Sequence, residues 1–230
     1  MTDLKNDILD AALTHVAFDG WSDATLIAAA EDIGVDIAAA RALFPRASVD
    51  LAMAFHRRGD AAMVAALAGA DLEAMKIREK ITHAVRLRLE LMADQKEAVR
   101  RGTTLFALPI HAADGARAIW ETADAIWDAI GDRSEDYNWY TKRLTLSGVY
   151  SATVLFWLGD TSDGHMATWG FLDRRIGDVM AIEKLKAQAR ESKVLAPFLA
   201  GPNWLLERIK PPARTPPPDM PGHCGGRDQN

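Results

Sequence analysis

The residues that could carry out acid–base, nucleophilic or metal chemistry do not form a recognisable catalytic pattern. The six histidines form no HxxxH or ExxH pair, whereas a helical di-iron site needs two Glu-x-x-His motifs. Glu79 and His83 are four residues apart, but the chain has no second such pair. The single cysteine, Cys224, lies in a Pro/Gly-rich stretch, and no Gly-rich phosphate loop is present. The sequence therefore predicts a protein that is not an enzyme, with no metal site and no cofactor.

A group of aromatic residues favours binding over catalysis. Six of them fall within one short stretch: Tyr137, Trp139, Tyr140, Tyr150, Phe156 and Trp157. Such side chains usually pack in a core, but a helical domain with so much bulky apolar surface could also enclose a cavity for an apolar ligand. Nearby polar side chains could hold a head group: Asn138, Lys142, Arg143, Ser147, Ser151 and Thr153.

The elements that must position these groups are predicted to be helices, because apolar residues recur along the chain at helical spacing. No long stretch alternates apolar and polar residues with the period of two that is typical of a strand. The first helices are predicted to begin or end at Gly20, Ser22, Gly34, the Phe44-Pro45 pair and Ser48, where caps and proline interrupt helical geometry. Longer helices are predicted over residues 71–94, 95–108, 115–130, 136–158 and 168–193. The sequence therefore predicts an all-α protein.

The predicted helix 136–158 is the most apolar. It overlaps the longest uncharged run, residues 144–159. A membrane-spanning helix needs about 20 apolar residues, and this run is shorter and contains serine, threonine and glycine. Because the segment is apolar nearly all round, we expect it to be buried at the centre of the protein.

The first sixty residues resemble the helix-turn-helix domain of TetR-type regulators. The resemblance is carried by Gly20-Trp21, Leu26, Ala29, Ile33-Gly34-Val35, Phe44-Pro45 and Leu51. These sixty residues contain ten acidic and only five basic side chains, and the third helix has Asp36 at its start and Arg41 as its one cation. A DNA-reading domain needs a basic patch. The sequence therefore predicts this fold without nucleic-acid binding.

The segment 194–210 is apolar with charges at its edges. Its candidate membrane-contacting residues are Val194, Leu195, Phe198, Leu199, Trp204 and Leu205. Tryptophan with flanking Lys and Arg is typical of a segment in a membrane interface, although a helix docked on its own domain or on a partner subunit has the same composition. Pro197 and Gly201-Pro202 interrupt it. Residues 211–230 are rich in Pro and Gly and are predicted to be a disordered tail.

The octapeptide DYNWYTKR, residues 136–143, resembles a signature of the COQ-nine family of ubiquinone-biosynthesis accessory proteins. Further similarities are Gly20-Trp21, Leu108-Pro109, Trp127, Gly131-Asp132 and the block TWGFLDRRI at residues 168–176. The resemblance covers about residues 5–200. It implies a TetR-like fold, a homodimer, and a protein that is not itself an enzyme but binds isoprenoid lipids and presents them to the demethoxyubiquinone hydroxylase.

The resemblance also implies where the functional residues lie. The lipid pocket would be lined by Leu105, Phe106, Trp120, Trp139, Leu146, Tyr150 and Val154. The surface near Trp169, Leu172 and Ile176 would contact the hydroxylase, and the segment 194–210 would touch the bilayer.

These observations divide the chain into four predicted parts: a helix-turn-helix-like bundle (1–60), a helical lipid-binding domain (61–193), a membrane-contact segment (194–210) and the tail (211–230). The lone cysteine and the absence of a transit or signal peptide favour a cytoplasmic protein, peripheral on the inner face of a bacterial inner membrane. The alternative is a TetR-type, ligand-responsive transcriptional regulator, which the acidic first sixty residues disfavour.

Overall fold

The structure, a computed structural model, describes the backbone of residues 2–191 and the side chains of residues 4–182. This part of the chain is helical and contains no strand, which confirms the all-α prediction. Its helices are α1 (Thr2–Asp19), α2 (Asp23–Asp32), α3 (Ile37–Leu43), α4 (Ser48–Ala68), α5 (Ile77–Glu90), α6 (Lys96–Phe106), α7 (Ala112–Ala129), α8 (Asn138–Gly159) and α9 (Met166–Glu191).

Local capping sets the boundaries of α2 and α3 where the sequence predicts them. The Ser22 hydroxyl accepts a hydrogen bond from the Thr25 backbone N–H at 3.1 Å, and the Asp36 carboxylate accepts one from the Ala38 N–H at 2.8 Å. Each satisfies a backbone donor that the first turn of a helix leaves free. Helix α3 ends just before Phe44, whose ring is buried in the core.

Helix α5 is shorter than the predicted 71–94. It begins at Ile77 because the Glu79 carboxylate accepts a hydrogen bond from the Lys76 backbone N–H at 2.7 Å, which caps the helix at that point. It ends at Glu90, before a short 3-10 turn at Ala93–Gln95. Helix α4, in contrast, continues through the predicted domain boundary at residue 60, and most buried apolar residues of α1 to α9 form one connected core, apart from a small cluster on α4 and α7.

Helix α8 packs against α7 and α9 and leaves its opposite face open. Leu144 and Leu155 on that face are 66% and 61% exposed. The prediction that this helix is buried at the centre of the protein is therefore wrong for this face, although its other side is buried. Its composition is apolar all round, but its two main packing partners, α7 and α9, leave that face uncovered.

Two buried arginines hold neighbouring helices together. Arg88 of α5 donates to the Asp60 carboxylate of α4 at 2.7 Å and to the His56 backbone carbonyl at 3.0 Å. Arg143 of α8, which has no exposed surface, donates to Asp124, to Asp128 at 3.0 Å and to Asp132 at 3.2 Å. Because each cation has carboxylate partners on other parts of the chain, it can be buried and still fix how those parts pack.

Candidate functional site

An apolar cavity of about 550 Å³ lies between α5, α8 and α9. Its lining residues are Ile77, Arg78, Ile81, Trp127, Tyr137, Asn138, Thr141, Lys142, Leu144, Thr145, Leu146, Val149, Ile176, Val179 and Met180. Several of them are also exposed to solvent, including Ile77, Leu144 and Met180, so the cavity opens to the surface. Its volume lies within the range of about 300–1,000 Å³ that is usual for small-molecule sites.

Helical spacing places the apolar wall of this cavity. Helix α9 contributes Ile176, Val179 and Met180, which are three and four residues apart and share one face. Helix α8 contributes Leu146 and Val149 at the same spacing. These side chains offer methyl and methylene groups and no hydrogen-bonding atoms, so they suit an aliphatic chain.

The first turns of α8 bring polar groups to the cavity, among them Asn138, Thr141 and Lys142. The Lys142 ammonium donates to Asp132 at 2.8 Å and to the Ser134 hydroxyl at 2.6 Å, and it lies 5.2 Å from the centre of the Trp127 ring. Burial disfavours the charged form of Asp132, but hydrogen bonds from Lys142, Ser134 and Arg143 outweigh that effect and hold its pKa below the ordinary value. The charge of Lys142 is therefore compensated within the protein.

Arg78, on the first turn of α5, is the other cation that lines the cavity. Its side chain is exposed and donates to the backbone carbonyl of Asp173 at 3.3 Å. Among the residues that the structure describes, no carboxylate lies within ion-pair distance of it. As far as the described residues go, the cavity thus has one neutralised cation on α8 and one cation on α5 without a carboxylate partner.

Residues 112–183, which span α7, α8 and the first part of α9, match the COQ9 family model. A Drosophila melanogaster protein named "Ubiquinone biosynthesis protein COQ9, mitochondrial" is 32% identical over 189 residues, which are 80% of this chain and 58% of the relative. The Homo sapiens protein of that name is 27% identical over 196 residues, 82% of this chain and 61% of the relative. The chain is a homologue of COQ9. It spans about three-fifths of the length of these two relatives.

The fold of this COQ9 homologue is similar to that of a solved TetR transcriptional regulator from Nitrosomonas europaea. The TM-score is 0.63 with 23% sequence identity, covering 76% of this chain and 97% of the regulator. This match confirms the predicted TetR-like fold, and at that identity it says nothing about function.

The helix-turn-helix surface of the COQ9 homologue is poor in basic groups. Arg41, the one cation of α3, donates to Asp23 of α2 at 2.7 Å. Asp36 caps the start of α3, where a DNA phosphate would otherwise accept hydrogen bonds from the backbone. The side chain that could contact a phosphate is thus already paired with a carboxylate of the same chain.

Of the seven residues predicted to line a lipid pocket, the structure brings Leu146 to the cavity. Leu105 and Phe106 pack instead against a small cluster on α4 and α7. The rings of Trp120 and Trp139 lie 5.9 Å apart in a half-buried aromatic cluster with Tyr140. The remaining two, Tyr150 and Val154, are buried in the core of the protein.

The polar residues predicted to hold a head group also separate into two sets. Asn138 and Lys142 line the cavity. Arg143 is held by three aspartates, and the hydroxyls of Ser151 and Thr153 donate to backbone carbonyls one turn earlier in α8. By helical periodicity Arg143 and Ser151 lie on another side of α8 from Asn138 and Lys142, and Thr153 lies about three turns beyond Lys142, so the group does not share one pocket.

Trp169, Leu172 and Ile176, near which a partner surface was predicted, are buried within this chain. Their exposed fractions are 6%, 0% and 5%, because this stripe of α9 faces the core that α5 and α8 also form. Ile176 lines the cavity, and the Trp169 indole donates to the backbone carbonyl of Gly164 at 2.8 Å. These side chains do not form a contact surface on the described chain.

The predicted membrane-contacting residues lie outside the described part of the chain: Val194, Leu195, Phe198, Leu199, Trp204 and Leu205. Within the described residues, no helix is both long and apolar enough to cross a bilayer.

Several cavity residues were not among those predicted: Ile77, Arg78, Ile81, Val149, Val179 and Met180. Periodicity identifies most of them as the inward stripe of an amphipathic helix, and that is where they lie. What the sequence does not show is that the stripes of α5, α8 and α9 stay apart here and leave a space between them.

Proposed function

We propose that this COQ9 homologue is a non-catalytic, lipid-binding accessory protein of ubiquinone biosynthesis. It binds an aromatic isoprenoid intermediate of the pathway and presents it to the demethoxyubiquinone hydroxylase at a membrane. The observation that carries the proposal is the open apolar cavity between α5, α8 and α9, with polar groups at the start of α8. The names of its relatives place those proteins in ubiquinone biosynthesis.

The two kinds of lining match the two parts of such a ligand. An isoprenoid chain is aliphatic, and its burial against Ile81, Val149 and Val179 is stabilising by about 25 cal/mol for each Å² removed from water. The ring oxygens of a quinone or phenol accept hydrogen bonds, which Asn138 and Lys142 can donate. Since the cavity is open, a chain longer than it can hold extends outward, toward a membrane or a partner.

The membrane and partner contacts form part of the same proposal. The segment 194–210 lies next to the bilayer. The hydroxylase contacts the half-buried aromatic cluster of Trp120, Trp139 and Tyr140, since aromatic side chains of this kind dominate binding energy at protein interfaces. This surface replaces the stripe around Leu172, which packs inward.

The open face of α8 supports a homodimer. Gly148 and Leu155, seven residues apart, lie along it, and the rings of Phe156 and Phe171 stack beside it at 4.5 Å. A second copy that packs on this face would bury these side chains. We expect Leu155→Glu to give a monomer in analytical ultracentrifugation, whereas Leu108→Glu, an equally drastic change at an exposed leucine in the α6–α7 connection, leaves the dimer intact. A dimer that survives Leu155→Glu would contradict this interface.

Lipid extraction and mass spectrometry test the lipid-binding proposal. The full chain is purified from a ubiquinone-producing host, together with Val179→Trp, which fills the cavity. Val64→Trp is the matched control, because Val64 is a partly exposed valine of α4 that does not line the cavity. We expect an isoprenoid quinone or its precursor in the wild type and Val64→Trp, and at least a tenfold loss in Val179→Trp. No isoprenoid lipid in the wild type, or equal amounts in all three proteins, would contradict the proposal.

A further inference from the structure

The two cations of the cavity differ in how they are neutralised. Lys142 is bonded to Asp132, whose side chain is almost fully buried and ionised. A carboxylate already bound to Lys142 leaves that ammonium as a hydrogen-bond donor with little net charge to offer a ligand. The α8 side of the cavity therefore suits neutral oxygen atoms.

Arg78 is in a different situation. Its guanidinium lies against α9 at Gly177, where an added Cβ would be 4.0 Å from Nη2, and its hydrogen bond to the protein is the long one to the Asp173 carbonyl. A guanidinium has five N–H donors. Within the described part of the chain, most of these donors and the positive charge have no protein partner, so they are open to solvent or to a ligand at the cavity opening.

We propose that the cavity takes an anionic amphiphile, whose carboxylate or phosphate pairs with Arg78 while its apolar chain lies along α8 and α9. A planar guanidinium binds either group through two parallel hydrogen bonds. The adjoining wall, formed by Ile77, Ile81 and Val179, is apolar. It therefore offers a free inorganic anion no hydrogen-bond donor, but it can pack against an apolar chain. The inference rests on the proposed function, because it adds an anionic ligand to the neutral quinone or phenol that the same cavity is proposed to bind.

Two sources of such a ligand share this chemistry. One is an aromatic isoprenoid precursor that still carries a ring carboxylate. The other is the phosphate of a membrane lipid. Both present a negative group at one end of an apolar body, and binding assays with matched probes separate them.

The test uses isothermal titration calorimetry with two pairs of probes. The first pair is 3-geranyl-4-hydroxybenzoate and 2-geranylphenol, which differ by the carboxylate. The second is dodecyl phosphate and dodecanol, which differ by the phosphate. Each is titrated into the wild type, into Arg78→Gln, and into Arg174→Gln, which removes an exposed arginine of α9 that does not line the cavity.

For the wild type and Arg174→Gln, we expect one anionic probe to bind about tenfold more tightly than its neutral partner, as charge-assisted hydrogen bonds allow. Arg78→Gln should abolish that difference and leave the neutral probe within twofold. The probe pair whose anionic member binds more tightly identifies whether the ligand is the isoprenoid carboxylate or the lipid phosphate. Equal binding of anionic and neutral probes by the wild type, or an anionic preference that survives in Arg78→Gln, would overturn the inference while the lipid-binding function stands. If no probe binds the wild type, the proposed function itself fails.

Discussion

The contact between α4 and α5 at Gly59 leaves no room for a side chain. A Cβ placed on Gly59 would lie 2.6 Å from three atoms of the Arg88 guanidinium. Favourable contacts between heavy atoms are about 3.5–4.0 Å, so Gly59→Ala requires a movement of about 1 Å. Arg88 is 3% exposed and is held by Asp60 at 2.7 Å, so it has no free direction in which to move.

The expected cost follows from that geometry. Disrupting a buried ion pair costs about 3–5 kcal/mol of stability. Alanine stabilises the helix by about 1 kcal/mol relative to glycine, which is unfavourable inside a helix, and this offsets part of the cost. Gly59→Ala should therefore lower the free energy of unfolding by about 2–4 kcal/mol. With urea dependences of about 1–3 kcal/mol per molar, the midpoint falls by about 0.7–4 M.

Urea unfolding followed by circular dichroism measures this effect. Gly170→Ala in α9 is the control, because its Cβ would meet only the end of the flexible Arg174 side chain at 3.4 Å; we expect it to be neutral or stabilising. In an Arg88→Met background, Gly59→Ala should lose most of its cost, since the clashing group is absent. A Gly59→Ala protein as stable as the wild type would refute the reasoning.

Three further perturbations follow from the buried polar groups. Arg143→Met removes the buried cation that three aspartates share, and because Lys142 still pairs with Asp132 it should cost about 1.5–3 kcal/mol in urea unfolding, whereas Arg175→Met, at an exposed pair, should cost under about 1 kcal/mol. Burial lowers the pKa of His56 below its ordinary 6.5. The unfolded chain therefore binds its proton more readily, and stability should fall as pH drops below that value; His56→Gln should flatten this slope. Hydrogen bonds from Thr168 hold the pKa of Asp160 far below its ordinary value, so Asp160→Asn should lower the Tm at pH 7 but have little effect once the wild-type carboxylate is protonated. Equal melting temperatures for Asp160→Asn and the wild type at pH 7 would contradict that role.

The helix-turn-helix region could be predicted because its determinants are local. The Ser22 cap acts on the next turn of chain, and the break at Phe44-Pro45 follows from the geometry of proline itself. The start of α5 was missed because apolar periodicity continues before Ile77, and the Glu79 cap is a weak signal by comparison.

The site was less accessible to prediction, because it depends on contacts between distant parts of the chain. Arg88 and Asp60 are 28 residues apart, and no motif marks them as a pair. The signature 136–143 lies at the start of α8, and its residues divide between three roles. Lys142 faces the cavity, Arg143 holds α7, and Trp139 joins the aromatic cluster. Only the packing of three helices shows which role each residue has.

Photo-crosslinking tests most directly whether this COQ9 homologue holds its lipid between α5, α8 and α9. A short-chain isoprenoid quinone with a diazirine in its chain is bound to the full protein, and the complex is irradiated. The crosslinked residues are then mapped by peptide mass spectrometry. We expect crosslinks at Ile81, Val149 and Val179 or their immediate neighbours on the cavity wall, and their loss in Val179→Trp. Crosslinks concentrated at Leu105 and Phe106, or unchanged labelling in Val179→Trp, would contradict the assignment of the cavity as the lipid site.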